Sequence, residues 1–392
     1  MRTYFLSSVK CFAANAQDFT SFHLKLLQES SPKEWIEEET STCMLNATFL
    51  DDEQVDGIHL VTDPILVAQL KNFLGECARG PKSKFPVMWS VHLTSKNIRK
   101  LESQPHFVIP KPYGTRFLLY VDPSGQIYLE NYAQNIFRID DDHTIKFISS
   151  DGQSVTDTIL DGVITRVADK RRPDAGRLTF VIMDAILCRG VSLKQMNIKQ
   201  RIAFVRDEIM QPRLNNPAII HDKEVFNLDI VECKESYEAE DFMTEEFRNE
   251  IFKYSLLSLI FIPRDKVYTC GTCDDVYQWV ENDVCRGVFL LKIPKTTSRT
   301  NNFDQKFGEL HVSSWNNSRF DAIKLTDELR LLDGRIIDCI YVDNQWIFQK
   351  LRNDRKHPNV REAAENSLEL MRDPITRTRL LKSLEISRNL QH

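Results

Sequence analysis

Lys111, in the run Lys111-Pro-Tyr-Gly-Thr-Arg116, is the residue of this chain best suited to covalent chemistry. An amine is a nucleophile only when unprotonated, and a lysine in water has a pKa of about 10.4, so neighbouring cations or desolvation must favour its nucleophilic form. Read without its surroundings, Lys111 in its Pro-flanked turn is an ordinary exposed lysine. Cys270-Gly-Thr-Cys273 is a second pair with chemistry, as metal ligands or as a redox couple. No further pair stands at zinc spacing and Cys285 is alone beyond it, which favours a structural role. Two basic clusters, Lys170-Arg171-Arg172 and Lys350 to Lys356, are candidates for meeting phosphates; for the second, a solvated edge is an equal reading.

The elements that must position these groups come from a chain long enough for two or three packed domains. It has 392 residues, 42% hydrophobic and 27% charged, a balance in which nothing suggests global disorder. A net charge of −5 argues against bulk polyanion binding. Nine scattered cysteines, an odd number, lack the spacing of a disulfide scaffold and read as reduced thiols of cytosol or nucleus. No apolar run approaches the about 18 residues of a membrane span. The first 17 residues hold Arg2 and Lys10 and no acid, but their apolar patches are too short for a signal peptide.

Residues 1–62, with the acidic cluster Glu37-Glu38-Glu39, read as a poorly defined extension, partly disordered. A helix is expected from Asp63 as N-cap and Pro64 at the first helical position, with Leu66, Leu70, Phe73, Leu74 and Cys77 on one face and Gly80-Pro81 as its end. From about 85 to 190 the texture is β, including a hairpin of Phe117 to Val121 and Gln126 to Glu130 through Asp122-Pro-Ser-Gly125, and a strand from Leu178 to Met183. Ile198, Ile202, Val205 and Ile209 repeat at helical spacing before Pro212, which is expected to break the helix. The polar stretch near Lys295 to Asn302 reads as a connection into a second β domain. There Ile336 to Val342 and Gln345 to Leu351 form a hairpin across Asp343-Asn344. Asn359 and Glu362 are placed as a capping box, and Pro374 as the start of a last helix through Leu380, Leu381 and Leu384.

Several segments, in order, resemble the guanylyltransferase part of metazoan-type mRNA capping enzymes. Lys111-Pro-Tyr-Gly-Thr-Arg116 is similar to the first motif, Lys-x-Asp-Gly-x-Arg, and Leu160-Asp-Gly-Val163 to the third, Asp-Gly-Glu. Phe180-Val-Ile-Met-Asp184 resembles the strand motif ending in aspartate, followed by Val205-Arg-Asp-Glu-Ile-Met-Gln-Pro-Arg213. Leu257-Ser-Leu-Ile-Phe261 stands where Asp-Gly-Leu-Ile-Phe is expected. Gly271-Thr-Cys-Asp-Asp-Val-Tyr-Gln-Trp-Val280 stands for a segment ending Lys-Trp-Lys, and Arg352-Asn-Asp-Arg355 with Pro358-Asn359 for Arg-x-Asp-Lys followed by Pro-Asn. Each match alone is weak; six in order are not chance.

The resemblance implies an α+β fold: a DNA-ligase-like nucleotidyltransferase domain of antiparallel sheets over 63–284, then an OB-fold barrel with C-terminal helices over 285–392. It implies that Lys111 would attack the α-phosphate of GTP, form lysyl-GMP and pass GMP to a diphosphate RNA end, with Mg²⁺ as the usual metal. Gly114, Thr115, Arg116, Asp184, Arg352, Asp354 and Arg355 are the nucleotide-binding positions it carries over. The aspartate of the first motif is Tyr113 here, the glutamate of the third is Val163 and the aspartate of the fourth is Leu257, so no metal ligand is assigned. The lysines of Lys-Trp-Lys are Gln278 and Val280 around Trp279, which, with Phe261, reads as core rather than as a stacking group. Asp161-Gly162 is also an ordinary turn pair.

Neither Cys11 nor Cys43 opens the Cys-x5-Arg loop of an RNA triphosphatase of the cysteine-phosphatase kind, and the residues before 62 are too few for that domain. The expectation is a catalytically impaired homologue that keeps binding to GTP, an RNA 5′ end or a transcription or RNA-processing protein, in the nucleus or else the cytoplasm. An active guanylyltransferase using Lys111 is the first alternative. An interaction module whose cleft is unused is the second.

Overall fold

The computed structural model describes residues 47–50, 54–79, 85–167, 176–219, 221–244, 254–281, 285–294, 306–313, 318–353, 355 and 357–389. Most of the N-terminal extension, Gly80-Pro81, Lys170-Arg171-Arg172, Asp354, Lys356 and nearly all of the polar stretch near 295–302 lie outside the described residues. The chain divides into two compact units. One is drawn from residues up to Ser90 and from Pro105–Val276, the other from Val91–Gln104 and from Tyr277 onward.

Two sheets build the first unit's site. The larger runs, in pairing order, β1 (Ile58–Leu60), β6 (Ile136–Ile139), β5 (Ile127–Asn131), β4 (Thr115–Val121), β7 (Thr158–Arg166), β8 (Leu178–Cys188) and β10 (Asn227–Ile230), with β9 (Val191–Ser192) beside β8. Every pair is antiparallel except β8 with β10. The second sheet runs β11 (Lys234–Glu235), β3 (His106–Pro112), β12 (Leu256–Pro263), β13 (Gly271–Trp279) and β2 (Met88–His92). Every residue of β8 is buried, so this strand is covered on both faces and reads as a near-continuous apolar run rather than an alternation. Under the larger sheet, Phe49 stacks on Phe117 at 4.7 Å and meets Phe137 edge-on at 5.3 Å.

Helix α1 (Pro64–Ala78) starts as the sequence predicts: the Asp63 carboxylate accepts from the N–H of Ile65, and Pro64 sits where no intrahelical donor is needed. Its end is made by Arg79, in the left-handed conformation at φ 55°. The Asp122 hairpin forms as expected, with the Asp122 carboxylate accepting from the N–H groups of Ser124 and Gln126 and Gly125 at φ 87°.

Pro212 does not break its helix. After α2 (Ile98–Ser103) and α3 (Ile198–Val205), the chain widens into a π turn over Arg206–Met210 and continues as α4 (Gln211–Leu214). The N–H of Gln211 reaches back to the Arg206 carbonyl. Widening just before the proline offsets the donor that Pro212 lacks.

The second unit holds a closed barrel in the order β14 (Arg286–Lys292), β15 (Phe307–His311), β16 (Arg319–Lys324), β18 (Gln345–Leu351) and β17 (Ile336–Val342), with α5 (Asp327–Arg330) between β16 and β17. Phe289 and Trp346 meet edge-on at 4.7 Å in its core. The β17–β18 hairpin turns on Asp343 and Asn344, both at positive φ of 51° and 61°, as a tight two-residue turn demands. The predicted capping box is absent: α6 (Arg361–Arg372) starts after Val360, and Asn359 accepts from the Arg355 guanidinium instead. Helix α7 (Arg377–Asn389) begins beyond Pro374, with the Thr376 hydroxyl accepting from the N–H of Arg379. It packs against α2, where Ser383 donates to Glu102 at 2.7 Å.

Candidate functional site

Lys111 lies near the end of β3, half-buried, directly across from Ser258 of β12. Side chains of an extended strand alternate, so Ile109 and Lys111 share a side of β3. Ile109 pairs with Ile260, and with Ile262, Met88, Val276 and the polar Ser90 they line a small cavity of about 20 Å³, closed from the larger sheet by Arg116, Met183 and Asp184. Lys111 therefore stands on the face that looks into this cavity. Burial pushes the Asp161 carboxyl above its ordinary value, against the pull of Arg116 and the smaller one of Lys111.

Leu257 is the extra residue of a β-bulge. The register steps from Leu256 opposite Pro112 to Ser258 opposite Lys111, leaving Leu257 without a partner position. Ser258 is buried and its hydroxyl has no hydrogen-bond partner.

The turn from β3 to β4 is pinned on both sides. Tyr113 donates its N–H to the Ser255 carbonyl at 2.9 Å, while its side chain is 50% exposed. A Cβ on Gly114 would lie 2.2 Å from the Ile164 carbonyl oxygen and 2.7 Å from a methyl of Val163. The sequence reading gives Gly114 to the approach of a nucleotide; the structure gives it a prior reason, the approach of β7. Val163 is itself buried in β7, and Thr115 opens β4. Asp161 and Gly162 are also in mid-β7 rather than in a turn.

Asp161 and Asp184 face one another across β7 and β8. Directly opposed like charges destabilise a sheet, and both residues are buried, so each needs its own cation. Arg116 supplies one in a two-point fork, Nε to Oδ1 at 2.8 Å and a terminal nitrogen to Oδ2 at 2.6 Å, with its guanidinium 4.7 Å from the centre of the Trp89 ring. Arg201, fully buried on α3, supplies the other at 2.6 and 2.8 Å and also donates to the Met196 carbonyl. Burial disfavours both guanidinium charges, but the facing aspartates outweigh it and hold both above the ordinary arginine value. Tyr268 closes the group, its ring 5.5 Å from Arg201 and its buried hydroxyl without a hydrogen-bond partner. Burial, with Asp161 and Asp184 behind it, keeps that phenol neutral.

The catalytic-domain family of the mRNA capping enzyme matches residues 50–282, and the capping enzyme C-terminal domain matches 281–381. The chain belongs to the mRNA capping enzyme family. Among similar curated proteins, the mRNA-capping enzyme of Danio rerio is 27% identical over 346 residues, 87% of this chain and 56% of that protein. That of Caenorhabditis elegans is 25% identical over 350 residues, 86% and 55%. The chain thus spans just over half the length of these relatives. The mRNA-capping enzyme subunit alpha of Yarrowia lipolytica is 24% identical over 354 residues, 81% of this chain and 86% of that one. Among solved structures, the ATP-dependent DNA ligase of bacteriophage T7 in complex with ATP has a TM-score of 0.32 and 13% identity, over 70% of this chain and 97% of that one. The fold is the expected mixed α+β nucleotidyltransferase arrangement, and the closed five-stranded barrel is of the OB kind.

Of the family positions named from sequence, the first unit brings together Lys111, Gly114, Thr115, Arg116 and Asp184. Arg352 and Arg355 belong to the barrel unit: Arg352 pairs with buried Asp338 at 3.4 Å, and Arg355 donates to Asn359 at 2.9 Å. Trp279 is core in that unit, its indole N–H donating to the Ile375 carbonyl at 2.7 Å, and Phe261 is fully buried in the first. Cys270 and Cys273 are free thiols, both pushed up by burial, with Cys273 directed at the Thr269 and Gly271 carbonyls. Trp89, Arg201, Ser258 and Tyr268 were missed from sequence, since each acquires its place only through a partner distant in the chain.

Proposed function

We propose that this chain is a guanylyltransferase homologue of the capping family that keeps nucleotide or RNA 5′-end binding in the Lys111 cleft and has lost efficient GMP transfer. The observation that carries it is the double fork: both oxygens of Asp161 and of Asp184 are taken by arginine N–H groups. Mg²⁺ needs hard oxygen ligands, and around Lys111 the remaining positions supply an exposed phenol at Tyr113, a buried isopropyl at Val163 and the bulged Leu257. These residues do not fit the ion, and no step is routed through it.

The family reaction needs charge stabilisation as the lysine nitrogen attacks phosphorus and pyrophosphate leaves. Each missing preorganised partner costs on the order of 10² to 10³ in rate, with non-additivity for groups acting together. Lys111 keeps its place on the cavity face, which supports phosphate binding even where transfer is lost. Nuclear residence, or a protein partner in transcription or RNA processing, follows from the family alone.

Purified protein incubated with α-labelled GTP and Mg²⁺ or Mn²⁺, then denatured, is expected to carry no acid-labile label above that of Lys111→Ala. A strong adduct lost in Lys111→Ala overturns the proposal in favour of an active enzyme. Fluorescence anisotropy is expected to show tighter binding of 5′-diphosphate than of 5′-hydroxyl RNA, weakened by Lys111→Met. No binding of either at millimolar concentration leaves the interaction module. Arg116→Ala is the wrong probe of binding, because it strands Asp161 as a buried unpaired charge.

A further inference from the structure

We propose that Cys270 and Cys273 form a reversible dithiol–disulfide switch, closed by exchange with a low-molecular-weight disulfide of the glutathione class, that clamps the entry of β13. The pair's chemistry does not depend on what the Lys111 cleft binds.

The two cysteines lie where the loop after β12 enters β13. Tyr268, in this loop, is the buried phenol beside the Asp161–Asp184 group, and its N–H donates to the Lys194 carbonyl at 2.9 Å. Gly271 opens β13 and donates its N–H to the Val87 carbonyl at 2.9 Å. Cys270 stands between these two anchors.

The geometry sets the Cys273 sulfur beside Cys270. The thiol points back along the chain, 3.6 Å from the Thr269 carbonyl oxygen and 3.7 Å from that of Gly271. Those carbonyls bracket Cys270, the first being bonded to its nitrogen, so the Cys273 sulfur is held against the Cys270 backbone. Gly271 bends the chain between them at φ 98°, a conformation that glycine takes freely, and nothing lies within 4 Å of the place its Cβ would occupy. The segment therefore has room to reach the Cα–Cα span of about 4.4–6.8 Å that a disulfide needs. The thiols also act on one another: burial raises that of Cys270, and Cys273 raises it further.

Exposure sets the order of steps. Cys270 is half-buried, whereas Cys273 is buried. The Cys270 thiolate meets the incoming disulfide, bonds to one of its sulfurs and expels the other as glutathione thiolate. The Cys273 thiolate then attacks the Cys270 sulfur of the mixed disulfide and expels the second glutathione thiolate. Two electrons pass from the cysteine pair to the reagent, and the two thiol protons end on two glutathione molecules. Burial raises both thiols, so little thiolate is present at neutral pH and exchange is slow. The switch therefore answers a sustained oxidised poise rather than a brief one. Closing it draws Cys273 off its two carbonyls and ties the chain across Gly271.

The test is peptide mapping of the full chain equilibrated in glutathione buffers of rising disulfide content, with free thiols then trapped by N-ethylmaleimide in denaturant. The segment holding Cys270 and Cys273 is expected to lose two hydrogens and take up no maleimide, at a disulfide content at least about tenfold lower than in the urea-unfolded chain. Cys273→Ser is expected to stop at the mixed disulfide, with glutathione on Cys270, and Cys270→Ser to form neither bond. In the oxidised protein the Gly271 N–H is expected to exchange with deuterium about tenfold more slowly. A native protein no more readily oxidised than the unfolded chain, or a folded Cys273→Ser protein without glutathione on Cys270, overturns the pair. Unchanged exchange at Gly271 in fully oxidised protein overturns the clamp. Should a serine disturb the buried site, the comparison of native and unfolded wild type still decides.

Discussion

The deep pair of acids in the first unit and the positions near Lys111 that the family resemblance aligns with carboxylates treat charge in opposite ways. In the deep part, Asp161 and Asp184 are each enclosed with an arginine of this chain. The aligned positions carry no acid: Tyr113 is exposed, Val163 is buried in β7 across from Arg116, and Leu257 sits in the bulge of β12. The two buried acids are those whose charge this chain's own arginines meet. A buried carboxylate without such a partner costs several kcal/mol.

The largest expected effect comes from breaking the deep part. Arg201→Ala leaves Asp184 buried and unpaired and should cost about 3–5 kcal/mol by urea denaturation, whereas replacing both partners by leucine should recover much of it. Near-equal stability of the single and double variants would break the comparison. The reverse experiment is Val163→Glu, which restores a family carboxylate in a fully covered strand and should cost about 2–4 kcal/mol. Burial raises the pKa of such a glutamate, so the folded form binds protons more readily, and the cost should be smallest near pH 5 and grow toward pH 8.

Smaller effects sharpen the same contrast. Gly114→Ala forces a Cβ onto the Ile164 carbonyl and should cost about 1–3 kcal/mol, with no ligand present. Tyr113→Asp, at the exposed rim, should stay within about 0.5 kcal/mol of wild type in thermal unfolding. The smallest perturbation is chemical: burial pushes the Cys77, Cys188 and Cys233 thiols up to about 12, so iodoacetamide at pH 8 should spare them in the native protein, as peptide mapping would show.

Local chemistry made several elements legible. Asp63-Pro64 starts a helix, and Asp343-Asn344 turns a hairpin, because the groups that satisfy the backbone or tolerate positive φ are the residues themselves. Where a competing partner was distant, local reading failed. Asn359 looked like a cap and is claimed by Arg355; Pro212 looked like a stop and is absorbed by a wider turn; Asp161-Gly162 looked like a turn and lies in a strand between two others. No composition shift marks residues 91–104 as part of the barrel unit.

The sequence by itself determined the family, the position of Lys111 and the absence of acids at 113, 163 and 257, since ordered motifs and residue identity need no coordinates. Tertiary structure alone decided which arginine neutralises which aspartate, why Gly114 must be glycine, and that Leu257 occupies a bulge opposite Lys111 while Tyr113 stands in solvent. Those facts depend on strand register and on which charges are buried together, and register is fixed only when the sheets pair.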